Sequence, residues 1–298
     1  MIAPDSIRVA VAGGELAMLR ANPGAMRGLV IVVHGFPDHP PTFAPVIGAL
    51  AARGLDVVAP WLRGYAPSTL AGPFDADQLG DDLLAIARAL AGGRPVYLVG
   101  HDWGAVATYA ALLRAEEEPA APRIAAAVTL AVPHPLAFMR ALGRDGQWRR
   151  SWYMGLFQLP LAHRVARAGD FALVDRLWRT WSPGARLADD ARTALHACLA
   201  ESWPAPIEHY RALVRPVTAL RARVRRADGP ITTPVHYLHG ADDGCIAVSA
   251  ARGQDRWLRG PLATEVVPGA GHFLHVEVPD LVAARVDAWI ATHPGQSR

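Results

Sequence analysis

The sequence contains no lysine; all 30 of its basic residues are arginine. That absence excludes Schiff-base chemistry, a phosphate-loop lysine and a serine–lysine dyad. Cysteine is nearly missing too, with only Cys198 and Cys245 in 298 residues. A disulfide framework is therefore not expected, and free thiols imply a reducing compartment, the cytoplasm. Charged residues make up 19% of the chain and the net charge is +3, too little for a broad nucleic-acid surface. The one basic cluster, "RARVRR" (221–226), lacks interleaved aromatics and is expected to be a solvated helix face. No apolar run reaches membrane-span length. Residues 1–19 lack the basic-then-apolar order of a secretory signal. No His/Asp/Glu spacing makes a metal site, so neither a metal nor another cofactor is expected.

What is present is apolar: 51% of residues, enough to bury a sizeable core. Residues 7–19 read as two short strands around "AGGE". Continuous apolar runs at 28–35, 55–64, 95–102, 124–133 and 234–243 read as strands buried on both faces. Helical segments at 43–53, 75–91 and 104–116 alternate with them, which predicts a mostly parallel sheet covered by helices on both faces. From 136 to 226 no buried strand interrupts helical material carrying Trp148, Trp152, Trp178, Trp181 and Trp203. The expected organisation is a core of 1–135 and 227–298 with a helical lid inserted at 136–226. Residues 294–298 read as a loose tail.

In a parallel α/β sheet, reactive groups collect at the carboxyl ends of strands. Here those ends carry "HGFPD" (34–38), "GHDWG" (100–104), "HGADDG" (239–244) and, after "TEVVPGAG", His272. "LVGHDWGA" has the shape of a strand, a sharp turn and a helix, with Asp102 at its centre. Gly100 and Gly104 supply the small neighbours that a strained turn requires. A helix N-cap role for Asp102 leaves those two glycines unexplained. The order nucleophile, acid, histidine is that of the α/β-hydrolase triad.

Together "HGFPD", "GHDWGA", "GADDG" and "GAGHFLHVEVP" closely resemble the α/β-hydrolases of the soluble epoxide hydrolase type, over nearly the whole chain. The resemblance implies Asp102 as nucleophile and His272 as base. The family's acid lies three residues after the strand-ending glycine, here Gly240, which selects Asp243 and leaves Asp242 as a turn former. It also implies two proton-donating lid tyrosines: Tyr153, five residues before Gln158, and Tyr210, immediately before an arginine. Backbone N–H groups of Phe36 and Trp103 are the expected oxyanion donors. His34, His101, His239 and His275 are expected to have structural roles.

Aspartate in place of serine has a chemical reason. Serine attacking a saturated carbon leaves an ether, which water does not readily cleave. A carboxylate leaves an ester, which a second step hydrolyses. The implied activity is hydrolysis of a small hydrophobic epoxide to a vicinal diol, with water as co-substrate and neither nucleic acid nor a membrane as partner; a homodimer is compatible with the sequence. Dehalogenases share the aspartate, and Trp103 or lid tryptophans would there bind halide. A non-catalytic binding protein on the same fold is the weaker alternative.

Overall fold

A computed structural model describes residues 5–118 and 120–295. Eight strands, β1 (Asp5–Val11), β2 (Gly14–Ala21), β3 (Leu29–Val33), β4 (Asp56–Pro60), β5 (Val96–His101), β6 (Ile124–Leu130), β7 (Val235–Gly240) and β8 (Leu262–Val267), form one sheet. Their order is β1-β2-β4-β3-β5-β6-β7-β8. The β1–β2 hairpin is antiparallel and adds antiparallel to β4; β3 to β8 run parallel.

Five consecutive apolar residues make β3 a strand that suits only a two-sided interior. Leu29, Ile31 and Val33 pack into one cluster with residues of α2 (Ala76–Leu90) and α3 (Trp103–Glu117). Val30 and Val32 point the other way, toward α1 (Ala44–Ala52) and α12 (Pro279–Thr292). That alternation puts helices on both faces of the sheet. Helix α2 starts where Asp75 accepts a hydrogen bond from the Gln78 N–H, a side-chain N-cap.

Between β6 and β7 the chain is helical: α4 (Pro135–Ala141), α5 (Gln147–Arg150), α6 (Trp152–Phe157), α7 (Ala162–Trp181), α8 (Asp189–Ser202), α9 (Ala205–Ala212) and α10 (Leu220–Ala227). Helix α7 breaks at 168–171, where Gly169, Asp170 and Phe171 take left-handed angles. Helix α10 carries the basic cluster and buries none of its residues. Arg226 pairs with Asp77, and Arg223 lies 3.5 Å from Asp75, so the cluster is a solvated face tied to α2. After β8, α11 (Leu274–Glu277) follows His272 and leads into α12.

The start of the expected loose tail is docked. Tyr97 Oη donates to the Pro294 carbonyl at 2.9 Å, because β5 begins beside the end of α12. Residues 296–298 lie outside the described residues, as do residues 1–4 of the segment read for a secretory signal. Among the described residues, no helix is long and apolar enough to cross a membrane.

Candidate active site

The sharp turn after β5 places Asp102 at φ 50° and ψ −117°, a conformation that costs a non-glycine residue strain energy. Its side chain caps nothing, so the turn is not built for capping. Closeness explains the flanking glycines: a Cβ on Gly104 would lie 2.1 Å from the Val33 carbonyl oxygen, and one on Gly100 2.3 Å from that of Gly104. Asp102 thus sits at the carboxyl end of the sheet and the start of α3, where the helix dipole favours a carboxylate.

Oδ1 of Asp102 accepts a hydrogen bond from the Phe36 N–H at 2.7 Å. Gly35 permits that approach, since a Cβ there would come within 2.4 Å of Oδ1 and 2.5 Å of the Trp103 nitrogen. The Trp103 N–H belongs to the first turn of α3, where no intrahelical acceptor exists; no hydrogen bond from it to Asp102 is found among the described residues.

On the far side, the loop after β7 splits the adjacent carboxylates. Asp242 is exposed and Asp243 buried. Oδ1 of Asp243 accepts from the N–H groups of Cys245 and Ile246 at 2.7 and 2.8 Å. Its Oδ2 lies 2.9 Å from Nδ1 of His272; a carboxylate only accepts, so the ring N–H donates. Nε2 of His272 then faces Asp102, 3.6 Å from Oδ2, without a hydrogen bond. Burial alone lowers the His272 pKa, but Asp243 and Asp102 outweigh it and raise it to about 10.

Tyr153 on α6 and Tyr210 on α9 are buried with their rings edge to face, 5.5 Å apart. Both line a cavity of about 340 Å³ together with Asp102 and Trp103, its remaining wall mostly apolar side chains such as Leu136 and Leu213. The Tyr210 hydroxyl is buried without a partner. The Tyr153 hydroxyl lies 3.4 Å from Sγ of Cys245. Burial, with Cys245 near Tyr153 and Asp102 near both, raises each phenol well above 10; they are held as neutral hydroxyls.

The other histidines sit in support. Nε2 of His34 accepts from the Leu62 N–H at 3.0 Å, and His239 bonds Tyr237 and, at 3.1 Å, the Ile246 carbonyl. His101 Nε2 lies 3.0 Å from the His272 carbonyl. The fold also gathers Asp38, His101 and His275, whose ligand-type atoms lie within 4.8 Å of one another, a grouping that sequence spacing did not suggest. Of the described residues this trio has the best geometry for a metal, yet His275 Nε2 already lies 2.9 Å from Asp38 Oδ2 and His101 Nε2 is engaged. Burial pushes both imidazoles well below 6.5 and Asp38 upward. The trio reads as a buried support beneath His272, with His101 held to the His272 carbonyl and His275 to Asp38.

Three contributors escaped the sequence reading. Gly35 stands in "HGFPD" beside Phe36, the expected donor. Cys245 follows Asp243 by two residues, and that proximity is its only sequence signal. Gln147, whose side chain holds the Cys245 carbonyl at 3.0 Å and the Ala247 N–H at 2.8 Å, has no sequence signal at all.

The chain is similar to epoxide hydrolase A of Mycobacterium tuberculosis, 29% identical over an alignment that covers 95% of this chain and 96% of that one. Its fold is similar to the crystal structure of epoxide hydrolase A from Mycobacterium thermoresistibile, with 25% identity, a TM-score of 0.75, and 97% and 98% of the two chains covered. It is likewise similar to Bacillus megaterium epoxide hydrolase in complex with an inhibitor (23% identity, TM-score 0.81, 96% and 100% covered). Residues 30–285 match the profile of the alpha/beta hydrolase family. That match runs from β3 into α12 and takes in the Asp102 turn, the Asp243 loop and His272: the chain belongs to the alpha/beta hydrolase family.

Proposed function

We propose that the protein is an epoxide hydrolase that works through an ester on Asp102, with residues 136–226 as a lid over a core of 1–135 and 227–298. The observation that carries this reading is that two buried tyrosines, Tyr153 and Tyr210, line the same cavity as Asp102. The named relatives support it.

The Phe36 N–H holds Oδ1, which leaves Oδ2 to attack an epoxide carbon. A C–O ester bond forms and the epoxide C–O bond breaks. The electron pair moves onto the epoxide oxygen, which takes a proton from a tyrosine. An alkoxide is a poor leaving group, so this donation is essential; general acid catalysis is worth about 10²–10⁴-fold. In the second step His272 takes a proton from water, and the oxygen attacks the Asp102 carbonyl carbon. Oδ1 becomes the oxyanion, already beside Phe36, with Trp103 able to add a second donor; each such donor contributes roughly 3 kcal/mol. Collapse releases the diol and returns the protons to the tyrosine and the departing oxygen. One epoxide and one water give one vicinal diol. The apolar wall favours a hydrophobic substrate, and the two free thiols fit a reducing cytoplasm.

Halide release by the same triad is the second reading, and Trp103 favours it because it lines the cavity. Of the insertion tryptophans, Trp178 and Trp203 donate their indole N–H to backbone carbonyls at 2.8 Å and Trp148 and Trp152 are exposed. That leaves Trp181, buried with its ring 5.1 Å from that of His272 and 4.8 Å from that of Tyr153, as the one beside the site. Parallel assays with aryl and aliphatic epoxides and with chloroalkanes separate the readings. Diol formation is expected; halide release without diol formation would replace the proposal.

A further inference from the structure

The two cavity tyrosines are not equivalent. The buried Tyr210 hydroxyl has no partner, whereas the Tyr153 hydroxyl has one, Sγ of Cys245 at 3.4 Å. Cys245 is fully buried, and its place is fixed from two sides. Its N–H donates to Asp243 Oδ1 at 2.7 Å, and its carbonyl accepts from Gln147 Nε2 at 3.0 Å. The Tyr153 ring is wedged against Trp181, Phe157 and Tyr210, with centroids 4.8, 5.9 and 5.5 Å away.

Resting on the epoxide hydrolase reading, we propose that Cys245 is a positioning residue for Tyr153, its S–H donating to Oη so that the phenol proton points at the epoxide oxygen. A hydroxyl has one proton to give, and a thiol is a weak acceptor. Once an epoxide oxygen enters the cavity it is the better acceptor, and the chain becomes S–H to Oη–H to epoxide oxygen. As the C–O bond breaks, the phenol proton moves to the substrate oxygen and negative charge grows on Oη. The S–H bond to Oη then strengthens, as charge-assisted hydrogen bonds do. The thiol keeps its own proton: burial, with Asp243 and Asp102 close by, pushes its pKa well above 9. No thiol contacts the Tyr210 hydroxyl, so the loss of Cys245 bears on Tyr153 alone.

The test is a double-mutant cycle on single-turnover ring opening, with styrene oxide as the probe and ester formation followed by intact-protein mass spectrometry. Cys245→Ala is expected to slow ring opening roughly three- to tenfold, the worth of one hydrogen bond, and to leave ester hydrolysis unchanged. Cys245→Ser, which keeps a donor, should restore most of the rate. In a Tyr153→Phe background Cys245→Ala should have no further effect; in a Tyr210→Phe background it should keep its full effect. A purely structural role would persist in both backgrounds, so an equal loss in each overturns the proposal, as does a Cys245→Ala enzyme that opens the epoxide at the normal rate. Should Tyr153→Phe alone open epoxides normally, the Tyr153 assignment and this proposal fail together, whereas the epoxide hydrolase reading fails only if the unaltered enzyme opens no epoxide. A loss with Tyr153→Phe but none with Cys245→Ala sinks only the Cys245 assignment.

Discussion

Nε2 of His272 stands 3.6 Å from Oδ2 of Asp102, beyond hydrogen-bond reach and within ion-pair range. One imidazole therefore faces two carboxylates, and its pKa rises to about 10. An imidazolium is no base. Under the proposed mechanism, esterification of Oδ2 would resolve this by removing the Asp102 charge, one of the two that hold the proton in place, and His272 would become a base only after that first step.

The pH dependence of stability follows with a definite sign. His272 has a folded pKa above its ordinary 6.5, so its contribution is fully present below about 6.5 and is lost as pH rises through about 10. Unfolding free energy should fall across that window, and Asp102→Asn should flatten the fall while lowering the His272 pKa seen by NMR. An unchanged His272 titration in Asp102→Asn would contradict the coupling.

Asp243 and Asp242 are neighbours with opposite expectations. Asp243→Asn keeps the shape but cannot stabilise an imidazolium, and a triad histidine with the wrong tautomer loses about 10⁴-fold in turnover. A loss on the order of 10³-fold or more is expected, confined to ester hydrolysis. Asp242 is exposed, so Asp242→Asn should change stability by about 0.5 kcal/mol at most and leave turnover intact. Reversed outcomes in steady-state diol assays would move the acid to Asp242.

Tyr153→Phe and Tyr210→Phe should each slow ring opening, and the double change should cost at least about 10²-fold. Rapid-quench measurement of ester formation reads this directly. Near-normal diol formation by the double variant would remove the tyrosines from the mechanism.

The Asp102 turn should be intolerant of a single methyl group. A Cβ on Gly104 would meet the Val33 and His34 carbonyl oxygens at 2.1 and 2.7 Å, whereas one on Gly143 meets nothing within 4 Å. Gly104→Ala is expected to cost about 3 kcal/mol by overpacking, and Gly143→Ala close to nothing. Urea unfolding of the two variants would expose an error if they behaved alike.

Much of the fold was legible because its signals are local. The parallel strands announce themselves as unbroken apolar runs, and β3, buried on both faces, has no other use for five such residues. The Asp102 turn was legible because glycines two residues to either side have one good explanation; the choice of Asp243, which lies beside His272, over Asp242 came from the family pattern that the chain resembles and not from a local signal. What stayed hidden depends on elements that meet only after folding. The Cys245 contact to Tyr153 joins the loop after β7 to α6, and the Asp38 pairing with His275 joins the ends of the chain. The docking of Pro294 under Tyr97 is of the same kind: a polar tail segment looks loose until its acceptor finds a donor.

The central claim, a covalent ester on Asp102 that His272 later removes, is tested most directly by His272→Gln. Ring opening needs only the Asp102 carboxylate and an acid, so this variant should still alkylate and then stall. Given a reactive epoxide, intact-protein mass spectrometry should show a gain of one whole substrate mass, and peptide mapping should place it in "VGHDWGA". An adduct located elsewhere, or diol turnover undiminished without His272, would contradict the account.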